Sequence, residues 1–174
     1  MSVFSDWQQF AVHQRRERTG CISAGYEMLL RAAGAQGIDF DAFQDDFDLD
    51  KDLAEEAPRV NHFQTVAEAV TAKYPQVTFT HRAFPKDNGS AKLAFIEQQL
   101  AARRPVLVSI SNVIFGKGGW HIMPVVDADD DNLVLLGMVT KDGAVVLVQL
   151  PKAVLVVVHE QCCGGEEVAW LKRC

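Results

Sequence analysis

From Pro105 onward the chain is written in short valine-rich apolar runs, "PVLVSIS", "HIMPVVDA", "NLVLLGMV", "AVVLVQL" and "AVLVVVHE", with "DADDDN" and "TKDG" as turns between them. Runs of that length, rich in β-branched residues and bounded by turn formers, predict a set of antiparallel strands. The chain before Pro105 is different. "CISAGYEMLLRAA" places Ile22, Tyr26, Leu29, Leu30 and Ala33 at the spacing of a helix that buries one face, and Gly34 stops it. Thr19 or Gly20 stands where a cap belongs, so Cys21 falls in the first turn, among free backbone N–H groups. "DFDAFQDDF" predicts a short helix, "NHFQTVAEAVTAKY" a longer one, and "VTFTHRAF" (77–84) a strand. "NGSAKLAFIEQQLAARR" predicts a helix capped by Asn88 or Ser90 and ended by Pro105. The tail "QCCGGEEVAWLKRC" reads as irregular, or as ending in a short helix packed through Trp170. Helices first and strands afterwards give an α+β class, not the alternation of a doubly wound sheet.

A cleft for chemistry needs a core around it, and 174 residues with 48% hydrophobic content suffice for one domain spanning 1–174. The net charge of -6 argues against nucleic acid or an anionic membrane as partner, since both call for a basic face. The acidity is also local: within 39–56 nine acids stand against Lys51 alone. The amino terminus has no apolar run behind a basic segment, which argues against a signal peptide, and no stretch is long and apolar enough to span a bilayer. Four unevenly placed cysteines do not make a disulfide framework, so a cytoplasmic protein with reduced thiols is expected.

No metal or cofactor is expected. "DLDKD" and "DADDD" space aspartates as a calcium loop begins, but Leu53 and Asn132 stand where its glycine belongs, and Arg59 and Met138 where its glutamate belongs. His159, Cys162, Cys163 and Cys174 lack zinc-site spacing.

Cys21 is the candidate nucleophile. A thiol works at neutral pH when a helix start, a nearby arginine or a paired histidine lowers its pKa. Arg15, Arg16 and Arg18 are near in sequence, and "GKGGWHIMPVV" presents His121 where a glycine-rich loop opens into a strand. Trp120 stands beside it as a shield or an ordinary core residue. His13, His62, His81 and His159 read as structural.

"GCISAGYEMLLRAAG", with Ala24, Met28, Leu29, Leu30 and Gly34 in place, resembles the nucleophile helix of the double-glycine, bacteriocin-processing branch of papain-like cysteine peptidases. "AARRPVLVSIS" followed by "GGWHIMPVVDADDDNLVLL" is similar to the helix, strand, loop and His-bearing hairpin of that family. The resemblance covers roughly residues 14–137 in two blocks. It implies a papain-like fold, an N-terminal helical half carrying the Cys helix packed on a C-terminal antiparallel sheet. It implies a bacterial thiol protease or related hydrolase or acyltransferase acting on a peptide or amide. Cys21 would attack the acyl carbon, His121 would take and return the proton, and Gln14 would help to bind the oxyanion. Gln14 lies one position farther from the cysteine than in the family pattern, and Ile22 replaces a glycine.

A residue to orient His121 is harder to find. Asp127 lies six residues along the same strand, roughly 20 Å away at about 3.3 Å per residue. A hairpin turning at "DADDDN" sets Gly137, Met138 or Val139 opposite His121, and the family alignment puts its acid at Gly137. Water, a backbone carbonyl or a strand-end group such as Asp142 could orient the ring instead. The alternative is a catalytically silent fold that binds a peptide or carrier-protein segment.

Overall fold

The computed structural model describes residues 6–16, 20–48, 62–117, 119–139, 143–162 and 167–173. Its helices are α1 (Cys21–Ala32), α2 (Phe43–Asp46), α3 (His62–Lys73), α4 (Gly89–Ala101) and α5 (Lys152–Cys162). Its strands are β1 (Thr78–Ala83), β2 (Val106–Ser111), β3 (Trp120–Ala128), β4 (Asn132–Val139), β5 (Val145–Pro151) and β6 (Glu167–Arg173). The six strands form one sheet in the order β1-β6-β2-β3-β4-β5, antiparallel at every pairing. The α+β class follows directly.

Side-chain alternation along β2 assigns the two faces. Leu107 packs with Ile22, Tyr26, Leu29 and the α3 residues Phe63, Val66 and Val70. Val106, Val108 and Ile110 pack instead with Ile96, Leu100 and Leu155 of α4 and α5. Successive strand residues point to opposite faces, so helices cover both sides of the sheet. This differs from a helical half resting on a β half, because β1 comes from the N-terminal part and α5 from the C-terminal part. Among the described residues no helix is long and apolar enough to cross a membrane.

α1 forms as the periodicity requires. Its end is a left-handed turn: Gly34 has φ 65°, with Ala35 N–H donating to Leu30 O and Gly34 N–H to Arg31 O. α4 ends the same way before Pro105 is reached, with Arg103 in the left-handed position (φ 58°) and Arg104 N–H donating to Gln99 O. Asn88 occupies the N-cap of α4 without a side-chain cap bond.

Two expectations are overturned. "AVLVVVHE" is helix α5, not a strand: Leu155 and His159, one turn apart, are buried, and the His159 Nε2 pairs with Pro85 O at 2.9 Å. The weak helix propensity of valine costs a few tenths of a kcal/mol per residue, less than burial of that face returns. Over 167–173 the tail is not irregular or helical either. It is β6, inserted between β1 and β2, with Val168 and Ala169 buried on opposite faces of the sheet.

Candidate functional site

Cys21 is the first residue of α1. The N-cap is Gly20, which offers no side chain to the free N–H groups. The Cys21 sulfur lies in that place, near its own N–H and that of Ile22 and, from the sheet, the N–H of Ile122, each of which favours the thiolate. Burial nonetheless dominates and pushes the thiol above its ordinary range, with these three donors only partly opposing it. The expected lowering of the pKa is therefore not found. The arginines do not supply it: Arg15 pairs with Asp45 at 2.9 Å and Arg16 with Asp48 at 3.1 Å, both turned toward α2. Arg18 lies outside the described residues.

The β3/β4 hairpin turns at 129–132, where the Asp129 carboxylate accepts from the N–H groups of Asp131 and Asn132. Its ladder runs from Ala128↔Leu133 to Val125↔Leu135, with a register shift between Val125 and Asp127. Among the described residues no further β3/β4 pair follows, and a cavity lies there against the start of α1. Cys21, Gln14, His121, Gly137, Met28 and Val12 are among its lining residues. Its free space is about 10 Å³, roughly that of one water.

The sequence-derived trio Cys21, His121 and Gln14 thus borders one cavity, although the groups are not bonded to one another. His121 pairs with Ile110 across β2/β3, and Ile110 packs with Met123 and Val125 beneath α4 and α5. Alternation therefore puts the imidazole on that same α4/α5 face of β3, with Met123 and Val125, while Ile122 packs on the opposite face toward α1. The backbone at Ile122, not the ring, meets the thiol. Burial, with Lys117 as the nearby cation, lowers the His121 pKa, so the ring is neutral at pH 7. Trp120 is 46% exposed and is not a core residue.

Gln14 is buried, and its Nε2 donates to Arg16 O at 2.5 Å. Asp142 lies outside the described residues. Asp127, on β3, accepts from Ala128 N–H. Gly137 has no room for the acid of the family pattern: a Cβ there would lie 2.6 Å from Val146 O. Sequence reasoning missed the Ile122 N–H, which no side-chain pattern announces, and a buried polar group on α2, Gln44. Among the described residues no group of three or more His, Cys, Asp and Glu is arranged to hold a metal.

No family model matches the chain, and no curated protein matches it.

Proposed function

We propose that the chain is a papain-like cysteine hydrolase or acyltransferase of the double-glycine peptidase type, acting on a peptide or amide in a reducing, cytoplasmic setting. The observation that carries this is Cys21 at the open start of α1, on a cavity it shares with His121 and Gln14. The resting pair is a neutral thiol and a neutral imidazole. Because the imidazole leaves β3 on the face opposite α1, a bound acyl group would have to widen the cavity and rearrange the start of β3 to bring the ring to the sulfur. His121 takes the thiol proton as the S–C bond forms, and returns it to the leaving amine as the C–N bond breaks. Water or a second amine then displaces the thiolate from the acyl-enzyme, its proton passing through His121. Donors such as the Gln14 amide and the Cys21 N–H would hold the oxyanion. The chemistry calls for no metal or cofactor.

A catalytically silent fold that binds a peptide or carrier-protein segment is the second reading. It is favoured by the packing of Gly137 on Val146, which excludes an orienting acid at that position.

The two readings separate on mixing the protein with p-nitrophenyl acetate and following nitrophenolate release and the acetyl adduct on Cys21 by peptide mass spectrometry. A hydrolase acetylates Cys21 faster than an unfolded reference, and Cys21→Ser abolishes the release. A rate no greater than the reference supports the silent fold.

A further inference from the structure

We propose that Gln44 is a positioning residue that holds the Gln14 segment in its place on the cavity wall; the inference rests on the oxyanion role given to Gln14 above. Gln44 lies on α2, buried although polar. Its amide is spent on both sides of Gln14. Oε1 accepts from Arg15 N–H at 3.0 Å, and Nε2 donates to His13 O at 2.9 Å. The second Nε2 proton goes to Glu27 Oε2 at 2.9 Å, a buried carboxylate on α1 whose other oxygen accepts from Arg31 Nε at 2.8 Å.

Two donors and one acceptor are all engaged, and the partners fix which end of the amide is which: a carbonyl and a carboxylate can only accept, and a backbone N–H can only donate. The result is a strand-like clamp supplied by a side chain. It grips the peptide groups before and after residue 14 and anchors them, through Glu27, to the helix whose first residue is Cys21. Arg15 reinforces it through Asp45 and Asp41 O. An oxyanion donor works only if it is already in place when charge develops. A segment without secondary structure of its own needs an external hold of this kind.

The test compares two reactions of the same thiol. Acetylation by p-nitrophenyl acetate passes through an oxyanion, whereas alkylation by iodoacetamide does not, so their ratio reports the oxyanion site and cancels general damage to Cys21. Gln44→Met should lower the ratio about tenfold, and Gln44→Asn, one methylene too short to bridge both peptide groups, should lower it in the same direction if Gln44→Met folds poorly. Glu27→Gln, which keeps the His13 and Arg15 contacts but weakens the anchor to α1, should lower the ratio less than Gln44→Met does. In a Gln14→Ala background, Gln44→Met should have no further effect, the signature of action through Gln14. A ratio unchanged in both Gln44 variants, or independent multiplication in the double variant, would overturn the proposal. Should the wild-type thiol not acetylate at all, the hydrolase reading fails separately. The clamp is then judged by the Gln14 side-chain amide signals in a ¹⁵N spectrum, which must move in Gln44→Met and would refute it by staying put.

Discussion

The Cys21 thiol faces the backbone N–H of Ile122, the residue that follows the proposed general base. A thiol buried against strand backbone is held neutral by desolvation, and three peptide N–H groups offset only part of that cost. The site rests as uncharged thiol and uncharged imidazole, not as a preformed ion pair; under the proposed function, activation would follow substrate entry.

The thiolate should therefore form late. The ultraviolet absorbance difference between wild type and Cys21→Ser isolates this one thiol, and its midpoint is expected above the ordinary value of 9.0. A raised folded-state pKa means stability is full below the unfolded pKa and declines as pH rises through the folded one. Cys21→Ser should remove that part of the alkaline decline in urea midpoint.

His121 acts with the opposite sign. Its folded pKa is lowered from 6.5 by burial and then by Lys117, so its stabilising share is present above pH 6.5 and is lost as pH falls through the folded value. His62, lowered by burial, adds in the same direction. Melting temperatures between pH 7 and 5 should fall less steeply in His121→Gln than in wild type.

Placing the acid of the resembled family at position 137 should fail. Gly137→Asp puts a Cβ 2.6 Å from Val146 O, a backbone atom of the neighbouring strand. Overpacking of this kind costs about 1–3 kcal/mol. Urea unfolding should show that loss, with no gain in acetylation rate.

The left-handed Arg103 closing α4 is a strained position filled by a residue with a Cβ. Arg103→Gly relieves about 1–2 kcal/mol of local strain and gives back part of it as unfolded-state entropy. A net stabilisation of up to about 1 kcal/mol is expected in the same assay.

Local pattern made α1 legible because Ile22, Tyr26, Leu29 and Leu30 repeat at helical spacing and Gly34 supplies the left-handed stop. The strands from 106 to 151 were legible because each valine-rich run ends at a turn former. α5 was not, since "VLVVV" has strand propensity and only packing against α4 and the sheet reveals its buried Leu155–His159 stripe. β6 was hidden for the same reason: its place between β1 and β2 is a long-range pairing. The lining of the cavity by Cys21 and His121 could be anticipated from chain order. The direction of the imidazole could not, because it depends on the register Ile110↔His121. Nor could Gln44, a polar residue in an acidic stretch whose burial only the tertiary structure shows.

The most direct measurement is the pH–rate profile of Cys21 acetylation by p-nitrophenyl acetate in wild type and in His121→Ala. If neutral His121 takes the thiol proton, the wild-type rate rises through an inflection below 6.5 to a plateau where the free thiol is still protonated, and the variant loses that plateau and follows the thiolate alone. Identical profiles in the two proteins, each with one inflection above 9, would contradict the account.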